Sequence, residues 1–253
     1  MVLPQPVIIT GNTIGETHDR IIAALIIEGC NNELQTEDNE YTWEYPSQVI
    51  AHVRFPGIEP FKSDASPFSR PYIDEYRLQM RSLTPPRADG KGFTYTYGNR
   101  ILDYPTIRSD GTIQGDGRGQ GINQLFISVI DRLVKQPSSR RAVVVTWCPA
   151  LDIGEGDPPC IDVIQFMLRD EIVSLTAYIR SNDMLLAWPN NVYGLSGILD
   201  SVTSAIDAAT DGQKNPISGS ITTISTSAHI YPVRDANYLR RQQEHLMKIG
   251  LLR

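Results

Sequence analysis

Apolar residues recur at helical spacing in several stretches of this 253-residue chain. In residues 17–28 the apolar positions follow a helical period, and Gly29 is typical of a helix end. A second pattern runs from Ile122 to Leu133 with spacings of i, i+3, i+4, i+7 and i+8, which predicts an amphipathic helix ending near Lys135. Further helices are predicted from Pro71 to about residue 81, at 191–209 and at 235–249.

Shorter runs of β-branched and aromatic residues predict strands. These runs cover residues 41–45, 49–54, 142–147, 161–168, 173–179 and 221–231. The charged turn Arg169-Asp170-Glu171 lies between two of them and predicts a β-hairpin. Helices mixed with such strands predict an α+β fold, in which helices cover one mixed β-sheet. Since we find no internal repeat and no linker, we expect residues 1–253 to form a single domain.

Glycine alternates with other residues near the middle of the chain, between Gly111 and Gly121. A phosphate-binding loop is one explanation of such a segment. The dinucleotide fingerprint, however, requires a preceding strand and a different glycine spacing. We therefore interpret residues 111–121 as a flexible surface loop.

Charge and composition argue against several classes of protein. The net charge of −6 disfavours general nucleic-acid binding, which depends on many Lys and Arg side chains, although a local basic pocket can still hold a small anion. No apolar run approaches the roughly 18 residues of a membrane span, and the N-terminus lacks the basic and apolar segments of a secretory signal. We expect a cytoplasmic protein.

The three cysteines, Cys30, Cys148 and Cys160, are too few and too scattered for a disulfide framework. None has the spacing of a metal ligand relative to another Cys or His, so we expect no metal site. In a reducing compartment each thiol is therefore either a small buried apolar group or a nucleophile.

Three polar clusters fit one ligand, although each also has an ordinary explanation. They are Arg140-Arg141, Pro159-Cys160, and Arg180-Ser181-Asn182-Asp183 followed by Trp188-Pro189-Asn190-Asn191. An arginine pair is most often a solvated end of an element. Asp183 could cap a helix or pair with an arginine, and Asn191 could be the N-cap ahead of Val192.

In their order and spacing, these clusters resemble thymidylate synthases. The matching residues are Tyr97-Gly98, Arg140-Arg141 with Trp147, Pro159-Cys160, Arg180-Ser181-Asn182-Asp183, Pro189-Asn190-Asn191 and His229-Ile230-Tyr231. The resemblance covers about residues 75–231. It implies a thymidylate synthase-like fold and a methyltransferase that converts dUMP to dTMP.

The resemblance also implies which residues carry the chemistry. Cys160 would add to C6 of the pyrimidine, because a soft thiolate can break the 5,6 double bond and make C5 nucleophilic. Glu75 is the candidate for the family's proton-relaying glutamate, with Asp74 as a rival. Tyr97 would join the same water network, and Asp183 is the fourth residue implied in catalysis.

The phosphate of the nucleotide is assigned by the resemblance to Arg180 and Ser181 of one subunit and to Arg140 and Arg141 of the other. Forked guanidinium donors suit phosphate oxygens. Because each phosphate site would need both subunits, a homodimer with shared active sites is part of the hypothesis.

Base and sugar have their own implied contacts. The amide of Asn191 would accept from uracil N3–H and donate to O4, a pattern opposite to that of cytosine. His229 and Tyr231 lie two apart on a predicted strand, face the same side, and would contact the sugar 3′-hydroxyl. A buried polar pair bonded to the backbone is the alternative for these two residues.

Some positions depart from common members of the family. Residues 31–38 contain no Arg to match an additional phosphate-binding arginine, and the chain end at residues 250–253 lacks the small apolar tail that closes over folate. These departures resemble the divergent archaeal-type branch, so the expected carrier is 5,10-methylene-tetrahydrofolate or a related reduced pterin. Two other functions stay open: a CMP or dCMP 5-hydroxymethyltransferase with water as final acceptor, and a nucleotide- or RNA-binding regulator without turnover.

Overall fold

The computed structural model describes residues 4–37, 39–85 and 94–253. Its strands are β1 (Val7–Gly11), β2 (Glu33–Gln35), β3 (Tyr41–Glu44), β4 (Val49–Val53), β5 (Thr106–Ile107), β6 (Ile113–Gln114), β7 (Val143–Val145), β8 (Ile161–Arg169), β9 (Ile172–Asp183) and β10 (Ile217–Ile230). Its α-helices are α1 (Ile14–Glu28), α2 (Arg70–Gln79), α3 (Tyr97–Leu102), α4 (Asp131–Lys135), α5 (Pro149–Asp152), α6 (Ala187–Ala209) and α7 (Ala236–Lys248).

Within the described ranges, eight of the strands form one mixed sheet. Six follow the order β1-β4-β10-β9-β8-β7, and β3 pairs with both β10 and β2. β1 and β4 run parallel, whereas β4 with β10 and β7 with β8 run antiparallel. With helices flanking this sheet, the predicted α+β fold is confirmed.

The predicted hairpin joins β8 and β9, which are neighbours in the sheet. Asp170 and Glu171 separate the two strands and have φ angles of 47° and 64°. Positive φ at both central residues is what a type I′ turn requires, and its twist matches that of the flanking strands. The charged turn in the sequence therefore marks the hairpin correctly.

The contacts divide the chain into two compact units. The first comprises Met1–Ile73, Tyr178–Tyr193 and Ser220–Arg253. The second comprises Asp74–Ala177 and Gly194–Gly219. Both units are discontinuous in sequence, and the expectation of a single domain over residues 1–253 stays a prediction.

Helix α1 forms part of the core of the first unit. Thr13 caps it by accepting the backbone N–H of Glu16 at 3.3 Å. Ile21 and Leu25, four residues apart on one face, are fully buried. Full burial of an aliphatic side chain of this size contributes about 1.5–3 kcal/mol, so packing of this face accounts for much of the stability of the helix.

Helix α6 begins at Ala187, four residues before the predicted start, and Pro189 lies in its first turn. Proline is tolerated there because the first N–H groups of a helix have no partner within it. Trp188 is fully buried, and its indole N–H donates to Thr223 Oγ1 at 2.9 Å. Among the described residues, no helix is long and apolar enough to cross a membrane.

The helix predicted from Ile122 to Lys135 differs from its expected form. Ile122 pairs with Tyr104 in an isolated β-bridge, and six residues, Leu125–Ile130, form a π-helix that leads directly into α4. Because π-helical bonds span five residues rather than four, positions spaced for an α-helix drift around the axis. Phe126, which the periodicity placed on the buried side, is accordingly 57% exposed.

The glycine-rich segment, residues 111–121, forms a loop whose backbone amides bind the side chain of Asp103. The carboxylate of Asp103 accepts the backbone N–H groups of Gly117 at 3.0 Å, Gly119 at 2.8 Å and Gly121 at 2.7 Å. Gly117 has φ +84°, and a Cβ there would lie 2.5 Å from Thr84 O. The backbone amides thus bind an anion that belongs to the chain itself, which the interpretation as a loose surface loop did not foresee.

Candidate active site

The residues predicted for the site fall into two groups, one in each unit. The second unit contains Glu75, Tyr97, Arg140, Arg141 and Cys160. The first unit contains Arg180, Ser181, Asp183, Asn191, His229 and Tyr231.

Cys160 forms no disulfide and lies immediately before β8. Its side chain is half-buried, whereas Cys30 is exposed and Cys148 is buried. Ile161, the next residue, is fully buried and begins the strand. A thiol at this place is anchored by the sheet on one side and still reachable, as a nucleophile must be.

Tyr97 is the residue that the structure brings to Cys160. Its hydroxyl oxygen accepts the backbone N–H of Cys160 at 3.3 Å and that of Ile161 at 3.1 Å. Burial raises the pKa of Tyr97 well above its ordinary value, so the group stays a neutral phenol. A phenol oxygen that accepts two hydrogen bonds keeps its own proton for a further partner. The predicted role of Tyr97 in a water network stays a prediction.

Arg100 lies one turn after Tyr97 on α3, and the sequence analysis missed it. Its side chain is only 2% exposed and forms a bidentate pair with Asp152 at 2.7 and 2.8 Å. Asp116 is a second carboxylate partner, 3.2 Å from Arg100 Nε. Asp152 also accepts the backbone N–H of Cys148 at 2.6 Å. This buried cluster ties α3, which positions Tyr97, to the segment that precedes Cys160.

The other candidates of the second unit lie at its surface. Glu75 and its rival Asp74 are exposed on α2, whose buried residue is Ile73. Arg140 and Arg141 are exposed in the connection between α4 and β7. Exposure fits a solvated end of an element as well as a site for a phosphate, so the roles of these residues stay predictions.

In the first unit, Arg180 and Ser181 lie where the burial pattern of β9 changes. Alternate residues are buried up to Ile179, but the next buried residue is Asn182 rather than Ser181. A shift of one residue is what a β-bulge produces, and bulges redirect side chains next to functional sites. Arg180 and Ser181 are both half-buried at this shift.

Asp183 ends β9 and is held by three donors. One carboxylate oxygen accepts the backbone N–H groups of Leu185 at 3.0 Å and Leu186 at 3.1 Å, and the other accepts from Arg234 Nη2 at 2.8 Å. Burial raises the pKa of Asp183, while the amide of Leu186 and the guanidinium of Arg234 act against that shift. The ordinary explanation, a cap paired with an arginine, describes these contacts; a part in catalysis stays a prediction.

His229 and Tyr231 meet at the end of β10. Their rings are 5.1 Å apart at 90°, an edge-to-face contact. His229 is only 6% exposed, and its Nδ1 lies 3.3 Å from Ser227 Oγ. Burial lowers the pKa of His229, so the imidazole is neutral near pH 7. The two residues share one side, as their spacing predicts, and their contact with a sugar stays a prediction.

Asn191 lies inside α6 and is 5% exposed. Because α6 begins at Ala187, Asn191 is not the residue that caps the helix, and the ordinary explanation as an N-cap ahead of Val192 is wrong. Its predicted role as the reader of the base stays a prediction.

Arg234 joins the residues of the first unit and was also missed. Its guanidinium carbon lies 3.6 Å from the centre of the Tyr231 ring, and it pairs with Asp183 as described above. Arg234 stands in a turn between β10 and α7, where no motif or periodicity marks it. Only the folded chain brings it to Asp183, which is 51 positions earlier.

Across residues 4–37, 39–85 and 94–253, no group of three or more His, Cys, Asp or Glu side chains is placed to hold a metal ion. The expectation that the protein uses no metal stays a prediction.

Comparison with known proteins gives a consistent result. The family profile for thymidylate synthase matches residues 72–250. A protein of Methanocaldococcus jannaschii that is provisionally named thymidylate synthase is 30% identical over 241 residues, 93% of this chain and 96% of that protein.

Two further relatives carry the same provisional name. The protein of Methanothermobacter marburgensis is 35% identical over 191 residues, 76% of this chain and 70% of the relative. The protein of Methanococcoides burtonii is 35% identical over 159 residues, 63% of this chain. In that comparison the chain spans 61% of the length of the relative.

Proposed function

Since the chain belongs to the thymidylate synthase family, we propose that it is a methyltransferase that converts dUMP to dTMP, with Cys160 as the nucleophile. The observation that carries this proposal is the contact between Tyr97 and Cys160. A reachable thiol has its backbone amide fixed by a buried phenol that still has a proton to donate.

The proposed reaction begins with the thiolate of Cys160, which adds to C6 of the pyrimidine and makes C5 nucleophilic. C5 then takes up a one-carbon unit and loses its proton, and the bond to Cys160 breaks. A bound 5,10-methylene-tetrahydrofolate or related reduced pterin would supply the methylene carbon and the hydride that completes the methyl group. Glu75 is proposed to relay protons through water, with Tyr97 in the same network.

The carboxylate of Asp183 has the lone pairs to accept one more hydrogen bond. An ionised carboxylate offers about four lone-pair positions, and three are used by Leu185, Leu186 and Arg234. The N–H groups of a bound reduced pterin would be suitable donors to this position. We therefore place Asp183 among the residues that hold the carrier during one-carbon transfer.

The contacts proposed for the nucleotide use the remaining candidates. Arg180 and Ser181 hold the phosphate together with Arg140 and Arg141 of a second subunit, in a cytoplasmic homodimer. The exposed positions of Arg140 and Arg141 leave both guanidinium groups available to a neighbouring subunit.

Base and sugar are bound by three other side chains in this proposal. Asn191 pairs with N3–H and O4 of uracil, and its buried position favours a directional amide contact over a solvated one. His229 and Tyr231 bind the sugar hydroxyl. The neutral imidazole of His229 can accept or donate according to its tautomer.

The test is product analysis with the full-length protein and a Cys160→Ser variant. Mass spectrometry follows reactions of dUMP, dCMP and CMP with methylene-tetrahydrofolate, and tritium release from C5-labelled nucleotide reports activation of the ring. We expect a methyl gain on dUMP and tritium release, both abolished by Cys160→Ser with nucleotide binding retained.

The matched control is Cys30→Ser, which removes an exposed thiol and leaves turnover unchanged. Full activity of the Cys160→Ser variant would refute Cys160 as the nucleophile. A hydroxymethyl gain on a cytidine nucleotide would replace the proposal with a 5-hydroxymethyltransferase. Nucleotide binding without product or tritium release would instead indicate a regulator without turnover.

A further inference from the structure

The guanidinium of Arg234 has its in-plane donors directed at acidic side chains. Nε lies 3.1 and 3.2 Å from the two carboxylate oxygens of Asp235, and Nη2 lies 2.7 Å from Asp235 and 2.8 Å from Asp183. Nη1 lies 3.6 Å from a carboxylate oxygen of Glu40. All three nitrogens of the group are therefore engaged within the first unit.

This arrangement argues against phosphate binding by Arg234. Three carboxylates, those of Glu40, Asp183 and Asp235, surround one positive charge, so the cluster as a whole is negative. A phosphate would be repelled by these acids, and three of the five N–H donors of Arg234 are already held by carboxylates. Arg234 is thus not a phosphate receptor, although its side chain is 40% exposed.

The ring of Tyr231 packs against the planar face of the Arg234 guanidinium. The distance of 3.6 Å from Arg234 Cζ to the ring centre is well within the range of a cation–π contact. The ring of His229 meets the ring of Tyr231 edge-on. Contacts with a planar cation and with a second ring together fix both the position and the tilt of the phenol.

The cation also acts on the chemistry of Tyr231. Burial raises the pKa of Tyr231 while the guanidinium of Arg234 acts against that shift, so the phenol keeps its proton and can donate it. Asp235 makes the turn more rigid, because its backbone N–H donates to the backbone carbonyl oxygen of Tyr231 at 3.0 Å while its carboxylate binds Arg234. The turn thus presents one oriented hydroxyl donor at the end of β10.

We propose that Arg234 is a positioning residue that determines specificity for the sugar, because it holds the Tyr231 hydroxyl in place to donate to the 3′-hydroxyl of a pyrimidine deoxynucleoside monophosphate. This inference rests on the proposed function, which gives Tyr231 its place at the sugar. It adds a residue outside the family motifs, which acts on the sugar through Tyr231.

The experiment compares the affinities for dUMP and for 2′,3′-dideoxyuridine monophosphate, measured by calorimetry on the full chain. We expect the wild-type protein to bind dUMP about tenfold more tightly, as one net hydrogen bond predicts. Arg234→Gln should reduce this ratio to about twofold. Arg234→Lys keeps the charge but loses the planar fork, and should give a ratio of about threefold.

A double-mutant cycle separates positioning from a general structural effect. Tyr231→Phe removes this donor and leaves His229 to bind the hydroxyl, so its ratio should fall to about twofold, and adding Arg234→Gln should then change the ratio no further. Arg20→Gln is the matched control, since Arg20 is an exposed arginine of the same unit paired with Glu16 at 2.6 Å. It should keep the wild-type ratio.

The outcomes distinguish failure of this inference from failure of the proposed function. If wild type prefers dUMP but Arg234→Gln keeps the tenfold ratio, the inference is overturned and the proposed function stands. If Arg234→Gln does not fold, an unchanged ratio in Arg234→Lys overturns the inference equally. A wild-type protein that binds neither nucleotide overturns the proposed function and this inference with it.

Discussion

The hydroxyl oxygen of Tyr97 accepts the backbone N–H of Cys160 at 3.3 Å, although 63 positions separate the two residues. The same oxygen accepts the N–H of Ile161 at 3.1 Å. The thiol of Cys160 is therefore placed through its backbone, immediately before the first residue of β8. Reactivity of this thiol should depend on a residue that need not touch the sulfur.

Tyr97→Phe tests this dependence. The substitution keeps the ring but leaves two amides without their acceptor, at a cost of about 1–3 kcal/mol in unfolding free energy. A nucleophile that is misplaced by even a fraction of an ångström reacts more slowly, so we expect kcat to fall about 10- to 100-fold. Single-turnover kinetics and the rate of alkylation of Cys160 measure the effect.

Tyr104→Phe is the control for Tyr97→Phe. It removes the hydrogen bond from Tyr104 to Trp147 O, 2.8 Å long and in the same unit, without touching the amide of Cys160. We expect a similar loss of stability and a much smaller loss of rate. Equal rates in the two variants would mean that Tyr97 contributes only to stability.

Asp103 gives a prediction about the glycine-rich loop. Asp103→Ala removes the acceptor of three backbone amides and should lower the unfolding free energy by on the order of 3 kcal/mol, measured by urea denaturation. Asp110→Ala is the control, because the carboxylate of Asp110 bonds the N–H of Thr112 in an exposed turn. If both variants are as stable as wild type, the loop does not depend on its internal anion.

The contrast between these elements explains what the sequence could reveal. The hairpin at Asp170-Glu171 and helix α1 were predictable because their signals are local, a charged turn in one case and a helical period in the other. The pair of Arg100 and Asp152 is 52 positions apart, and no local pattern marks either residue. Arg234 was missed for the same reason, since its partners are assembled only by the fold.

The π-helix shows a second reason why the sequence did not predict every element correctly. A period of 3.6 residues is read from the sequence on the assumption of α-helical bonds, and Leu125, Val129 and Leu133 are indeed buried. The wider turns of Leu125–Ile130 move Phe126 out of that pattern. Among the site residues, the ordered motifs pointed to Cys160 and Tyr97, but the hydrogen bond between them required the structure.

His18 predicts a dependence of stability on pH. Burial lowers its pKa from 6.5 to about 4, and its Nε2 lies 2.9 Å from Met184 O. Between pH 6.5 and about pH 4, the imidazole of His18 is protonated in the unfolded chain but neutral in the folded chain. Stability should therefore be lost as the pH falls through this window, by about 3 kcal/mol in total from this group.

Urea denaturation of wild type, His18→Gln and His18→Phe, at pH values that span the window from 6.5 down to about 4, measures this effect. Other groups also titrate in this range, so the quantity of interest is the difference in slope between wild type and each variant. Both variants lack the imidazole and should lose the same part of the slope, whatever their stability at neutral pH. Slopes equal to that of wild type would show that His18 is not the group responsible.

Asn191 gives the last prediction, which concerns the base. Exchanging its amide for a carboxylate replaces a donor with an acceptor, which suits the N4 donor of cytosine and opposes O4 of uracil. Asn191→Asp should therefore move relative affinity from dUMP toward dCMP by about 1–3 kcal/mol, measured as the ratio of the two dissociation constants.

Asn190→Asp separates this base preference from the effect of a new negative charge. Asn190 is the neighbouring residue of α6, is 7% exposed, and donates from Nδ2 to Leu186 O at 3.0 Å within the helix. A carboxylate at this position adds the same charge to the same turn, so it should weaken both nucleotides without changing their ratio. If Asn190→Asp and Asn191→Asp alter the ratio equally, charge alone explains the result; a shift confined to Asn191→Asp requires that this side chain contact the base.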